Sequence, residues 1–440
     1  MDDLVRLLTL RDANTRVVLL GATLLGIAAA LVGTFAVLRK RSLMGDAVAH
    51  AALPGIACAY FVAGRSFVAL LVGALVFGVL SAAFVSLVKA TTRIKEDAAI
   101  ALAIGGFFGL GVVLSRIAQN QPGGNRAGLD TFIYGKAASM VSADARLILA
   151  AAVVLALATA LLHKEFKLLC FDRDFAATQG WPTLGLDLLL MGLVCVCTVV
   201  GLPAVGVVLM VALLIIPAAA ARFWTDRLGP MLALAAGFGG ASGMLGVALS
   251  AVVPAPASTL SRGWPTGPLI VLVAAGIFVA SMIGAPRRGL VADLVRRVRL
   301  RRRVALQNLL RDAFERGEET GDPARPWTPR DLRRPVRGET LRRAVARGLA
   351  RPGTAGFVLT PEGQAAAARV IRAHRLWELF LIEQAAIAPD HVDRDADEIE
   401  HVLPASVIAA LEARLAAVDR DGPRETPIVP PSPHAPGATP

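Results

Sequence analysis

The sequence predicts an all-α polytopic membrane protein of about nine transmembrane helices, followed by a mostly helical, winged-helix-like cytoplasmic domain. Three observations carry that prediction. Hydrophobic residues make up 55% of the 440, and mean hydropathy is +0.59. Charged residues are 18%, against roughly 25% in a soluble globular chain. The apolar runs stop near residue 286, where an arginine-rich, helix-friendly sequence takes over and ends in a proline-rich stretch.

A spanning helix needs about 20 apolar residues, because in lipid every backbone group must be bonded internally. Suitable runs lie at 17–37, 47–63, 66–88, 97–116, 144–162, 183–201, 203–221, 229–252 and 267–285. Every odd run ends in positive charge. Arg39, Lys40 and Arg41 follow the first, Lys89, Arg93 and Lys95 the third, and Lys164 and Lys167 the fifth. Arg222 and Arg227 follow the seventh, and Arg287 and Arg288 the last. Such loops stay in the cytoplasm, so the C-terminal part is expected inside and the N-terminus outside, with Arg65 the one exception. The same clusters account for much of the +12 net charge better than a nucleic-acid surface does.

Gly239, Gly243 and Gly246 recur at helix-facing spacings and predict close backbone packing. The polar stretch 117–143 reads as an external loop with a short helix. Of the four cysteines, Cys195 and Cys197 point to nearly opposite sides of one helix, so no disulfide framework is expected. Met1 to Arg16 alternate charge with Leu and Val and lack the pattern of a cleavable signal peptide.

Chemistry concentrates at the start of the second run. Asp46 and His50 are four apart and share one helix face. An ionisable group in a membrane costs roughly 2.5–3.5 kcal/mol on insertion scales unless it is paired. Two readings stay level on spacing alone. Asp46 caps the helix and bonds to His50, or the two present a carboxylate and an imidazole to a divalent transition metal.

The segment Ser42–Tyr60, SLMGDAVAHAALPGIACAY, resembles the signature of the manganese/zinc/iron permease family of ABC importers. Matching stretches follow in order: Leu168–Asp172 with Phe175–Ala177, Val199–Gly206, Ala212–Ala219 and Pro265–Pro268. The resemblance covers about residues 1–285. It implies a dimeric pathway through two permeases, lined by Asp46 and His50, with Mn, Fe or Zn as the substrate. It also implies a cytoplasmic ABC ATPase dimer and an extracytoplasmic metal-binding protein as partners. Ala218–Leu228 would then be the coupling helix, with Ala220, Arg222, Thr225, Asp226 and Arg227 docking on the ATPase. No G-x-x-x-x-G-K-[ST] occurs, so this chain is expected to bind no nucleotide. A secondary carrier using Asp46 and His50 as a proton relay is the competing reading.

The sequence divides into a permease domain at 1–286, a basic linker at 287–303, a winged-helix-like segment at 304–363, a helical segment at 364–420 and a disordered tail at 421–440. Within the linker, Val295–Arg303 reads VRRVRLRRR and suits the anionic lipid of the inner leaflet. Helical patterns at Val304–Glu315, from Thr328 and at Glu339–Leu349, then a strand at Phe357–Thr360, follow winged-helix order. Arg342, Arg343 and Arg347 could touch DNA phosphates, or form an ordinary solvated face.

The stretches Gly356–Gly363, His374–Leu381 and Asp397–His401 resemble the diphtheria-toxin-repressor and manganese-repressor family. That resemblance implies a divalent metal held by His374, Asp397, Glu400 and His401. Asp397, Glu400 and His401 fall at i, i+3, i+4, which without the resemblance would read as a solvated face. Val304–Gln307 lacks the carboxylate that the family draws from its first helix, and Pro335 and Gly338 depart from its winged helix. The tail could thus be a metal-dependent DNA-binding regulator, tethered or released by proteolysis near Arg296–Arg303, or a sensor that throttles its own transporter.

Overall fold

The structure, a computed structural model, describes residues 13–120, 135, 140–252, 264–322, 325–332, 336–353, 356–385, 407 and 409–411, the side chains of 13–14, 374–375 and 378–385 excepted. The chain divides into two compact units, Met1–Asp293 and Leu294–Pro440.

Among the described residues of the first unit, nine helices are long and apolar enough to span a bilayer. They are α1 (Ala13–Leu38), α2 (Met44–Ala63), α3 (Phe67–Thr91), α4 (Glu96–Gln119) and α5 (Ser142–Leu161). After two short helices, α6 (His163–Phe171) and α7 (Arg173–Thr178), come α8 (Thr183–Val205), α9 (Val207–Trp224), α10 (Leu228–Val252) and α11 (Thr266–Gly284). The closely spaced sixth and seventh runs are separate helices. Gly206 alone divides them at φ +83°, a left-handed conformation that a side chain disfavours, and its N–H closes α8 on the Leu202 carbonyl.

Core residues come mainly from α1, α2, α8 and α9, whereas α4, α5 and α11 turn broad apolar faces outward. In water those faces would be a liability, but in a bilayer they are the lipid-facing surface. α1 packs along α10, and α2 packs against α3 and α4. Two glycine pairs make the closest crossings. A Cβ on Gly26 or Gly239 would stand 2.2 Å from the other's carbonyl oxygen, and Gly55 and Gly73 meet in the same way. With no hydrophobic drive between helices in lipid, small residues of this kind allow the contact that holds them. Gly243 and Gly246 pack likewise, on Ala22 and Ile270.

The second unit begins inside α12 (Leu290–Thr320). The stretch expected as a linker, 287–303, is helical from Leu290 onward. Between Leu290 and Arg316 the chain has no Gly or Pro, and it is rich in Arg, Leu and Ala, which favour helix. After α12 come α13 (Gly338–Ala346), the strands β1 (Ala350–Gly353) and β2 (Gly356–Leu359), and α14 (Pro361–Ala385). The strands pair antiparallel, Ala350 opposite Leu359, and Trp327 adds a single bridge to Phe357. Leu306, Leu309, Leu310, Trp327, Ala344, Phe357 and Leu359 form the core.

The segment expected as a second helix from Thr328 is a turn through Leu332. The Asp331 carboxylate takes bonds from the Thr328 amide and hydroxyl, which hold that carboxyl below its usual range and favour the turn over a helix. Pro335, most of the external loop at 117–143 and the tail at 421–440 lie outside the described residues.

Candidate functional site

Asp46 stands in the first turn of α2 and His50 one turn on. His50 Nε2 lies 3.4 Å from Asp46 Oδ1, and the imidazole meets Phe108 of α4 edge-on, ring centres 5.0 Å apart. His50 Nδ1 is buried with no hydrogen-bond partner. Pro54, one turn further, has no N–H to give the His50 carbonyl, so the helix ladder is broken at this level. The pair is not sealed inside: the side chains of Asp46 and His50 are 32% and 26% exposed.

The spacing has a chemical meaning. Two donors about 2.1 Å from a tetrahedral ion stand about 3.4 Å apart, so the separation of Asp46 and His50 matches that of two ligands to one ion. Among the described residues no third His, Cys, Asp or Glu joins them. Two donors leave at least two positions on such an ion open, to water or to another molecule.

A second charged cluster was not legible in the sequence. Lys40 adopts φ +59° in the turn after α1, and the Arg41 amide closes on the Ala36 carbonyl. That turn places Arg39 and Arg41 on one carboxylate, Asp187 of α8. Arg39 Nη2 lies 3.0 Å from Asp187 Oδ1 and Arg41 Nη1 2.5 Å from Oδ2, with Arg41 and Asp187 both buried. Arg39 Nη1 also donates to the Leu169 carbonyl of α6 at 3.1 Å. Arg41 Nε stands 2.5 Å from Glu96 Oε1, an ion pair without hydrogen-bond alignment, and Lys89 pairs with the other Glu96 oxygen. The charges read as loop markers thus tie α1, α4, α6 and α8 together. Beside them on α6, burial pushes the Cys170 thiol up to about 12, against the pull of Arg39.

The segment Ala218–Leu228 is not a helix of its own. Residues up to Trp224 are the end of α9, and only Thr225–Arg227 separate it from α10. Ala220 is fully buried, because Pro217 and the alanines around it pack that face into the bundle, so its side chain is not on a docking surface. Arg222 and Asp226 pair at 3.8 Å, and Asp226 also binds Arg287 and Arg288. The short helices that do stand apart from the spans are α6 and α7, where Phe171 and Phe175 are exposed together with the nearby Trp181.

In the second unit, Arg342 on α13 and Arg347 at its C-terminal cap are exposed, and Arg343 on α13 is partly covered. His374 lies on α14, its side chain outside the description. Asp397, Glu400 and His401 also lie outside the described residues.

Residues 360–430 match the sequence model of the iron dependent repressor, metal binding and dimerisation domain. The chain is 42% identical over 313 residues to the manganese transport system membrane protein MntC of Bacillus subtilis (strain 168), covering 71% of this chain and 70% of that one. It is 45% identical over 301 residues to the zinc transport system membrane protein TroC of Treponema pallidum (strain Nichols), covering 68% of this chain and 98% of that one. Among solved structures, a chain of PsaBC from Streptococcus pneumoniae in complex with Fab aligns at 30% identity and a TM-score of 0.54, covering 63% of this chain and 94% of that one. Residues 11–285, the whole spanning bundle, match the model of the ABC 3 transport family, and to that family the chain belongs.

Proposed function

We propose that this chain is the permease of a bacterial importer for manganese or zinc, moving the ion past Asp46 and His50 through the cytoplasmic membrane. The observation that carries this reading is the carboxylate–imidazole pair at 3.4 Å, partly exposed on a spanning helix of an ABC 3 family bundle. Relatives whose names specify manganese or zinc support the choice of ion. A second permease, the same chain or a relative, brings its own pair to face this one and fills the open positions on the ion. An extracytoplasmic metal-binding protein delivers the ion, and a separate cytoplasmic ATPase dimer drives the switch between access states.

The arginine-rich ends of the odd spans face the cytoplasm in this reading, as do residues 294–440. There α6 and α7 offer the exposed Phe171, Phe175 and Trp181 to the ATPase in place of the Ala218–Leu228 segment. The C-terminal unit senses internal metal through His374, Asp397, Glu400 and His401 and slows the transporter when the ion is plentiful. The match at 360–430 supports that role.

The test is metal content, across manganese, zinc, iron and cobalt, in metal-starved cells carrying the whole system. Cells with the native chain should accumulate one of the first two ions. Asp46→Asn/His50→Ala, at equal membrane abundance, should lose that accumulation. Equal content in both strains would remove Asp46 and His50 from the pathway.

A further inference from the structure

The second unit contains a cleft unrelated to the metal pair. Arg299, Arg302 and Arg303 of α12, Arg343 of α13 and Arg347 at its C-terminal cap line a space of about 440 Å³ together with the buried Leu306. Among the described residues, one carboxylate answers these five guanidiniums. Glu339 pairs with Arg343 and lies 3.7 Å from Arg302. Among the described residues, no carboxylate pairs with Arg299, Arg303 or Arg347. Five like charges lining one concavity repel each other.

We propose that this cleft binds a phosphate-class anion of headgroup size, taken from an acidic phospholipid or from free phosphate. Three features select that chemistry. Guanidinium forks match phosphate oxygens with two parallel hydrogen bonds each. The volume falls within the roughly 300–1,000 Å³ of small-molecule sites. The arrangement is concave, whereas a DNA major groove about 12 Å wide takes a whole helix as a convex insert. Arg343 and Arg347 are one turn apart, and that face of α13 lines the cleft. The expected DNA contacts are therefore divided, with two of the three arginines committed to the cleft. Lipid is a ready source, since a run of arginines close in sequence to a membrane span attracts anionic headgroups. The inference stands independently of the metal-transport reading.

The test uses the full chain in neutral detergent, titrated with pyrophosphate by calorimetry at low and at high salt. A second arm follows retention of phosphatidylglycerol against phosphatidylcholine by native mass spectrometry, and a third titrates duplex DNA. Arg299→Ser/Arg303→Ser/Arg347→Ser should weaken binding by at least about tenfold, while the exposed Arg330→Ser, which lies off the cleft, should not. Circular dichroism checks that α12 and α13 persist in both variants.

Pyrophosphate binding that weakens with salt and with the triple substitution supports the site with free phosphate as its source. Selective phosphatidylglycerol retention lost in the triple variant supports it with lipid as the source. The proposal is overturned if neither probe binds, or if the triple variant binds as the native chain does. It is also overturned if duplex DNA alone binds through these arginines.

Discussion

Asp187 shows how much a single residue can carry without leaving a trace in the sequence. Composition and spacing mark Arg39 and Arg41 as positive loop charge, and that reading fits their place after a span. It gives no hint that a carboxylate nearly 150 positions away receives both. Removing that carboxylate would leave Arg39 with only the Leu169 carbonyl and Arg41 with Glu96 alone, in a largely buried setting. Asp187→Ala is expected to cost about 3–5 kcal/mol and to lower the unfolding temperature in detergent sharply. Replacing Arg39, Arg41 and Asp187 together with leucines should recover most of the loss, because the desolvation cost goes with the charges. An unchanged midpoint for Asp187→Ala would mean that water reaches the cluster. Cys170 offers a milder probe of the same place. Its thiol, raised from 9.0 to about 12, stays protonated where an ordinary cysteine has ionised. In a Cys58→Ser background, iodoacetamide alkylation of Cys170 should keep accelerating as pH rises well above 9, where an ordinary cysteine levels off. The stability contributed by the neutral thiol is full below pH 9 and is lost as pH rises through 12. Asp46 and His50, by contrast, were legible from their four-residue spacing, because a helix turn makes neighbours of such a pair.

At the scale of helices, the spans could be read almost end to end, since a bilayer demands a long apolar run and few other environments do. Gly239 could be read as a packing position, but its partner could not. Gly239→Ala puts a methyl against the Gly26 carbonyl and should cost about 1–3 kcal/mol by forcing α1 and α10 apart. Gly237→Ala, on the same helix with nothing within 4 Å of its would-be Cβ, should be neutral or slightly stabilising. Loss of monodisperse protein on heating in detergent would tell the two apart, and equal behaviour would remove the close crossing from the account. The short helices α6 and α7 escaped the sequence reading because six to nine residues carry too little periodicity to stand out. If they are the ATPase-docking surface, Phe171→Ser/Phe175→Ser should abolish capture of the ATPase subunit while leaving permease yield intact. Retained capture would favour the Thr225–Arg227 turn, where Asp226 and Arg227 are exposed. The turn at Thr328–Leu332 was misread for a different reason: Asp331 satisfies the local backbone and hydroxyl before a helix can form.

On the scale of the whole molecule, the composition change near residue 286 lies close to the division between the two units after Asp293, but the continuous helix from Leu290 to Thr320 was not legible. Basic sequence reads equally well as linker or as helix until the absence of Gly and Pro is given weight. If the second unit restrains transport, a chain ending at Asp293 should keep importing when internal metal is high, whereas the full chain slows. Matched uptake curves under both conditions would leave the second unit without a role in flux. The pair of donors at 3.4 Å also bears on how an ion can be let go. A site whose ligands all belong to one rigid body holds its ion by the chelate effect, and releasing it means deforming that body. If Asp46 and His50 are half of a ligand set completed by a second permease, as proposed, their grip depends on the local concentration of the other half. Metal–ligand bonds tolerate only about 0.2 Å of stretch. In that arrangement, parting the two facing helices by an ångström or two would turn a tight complex into a weak one, with no donor protonated and no side chain rearranged.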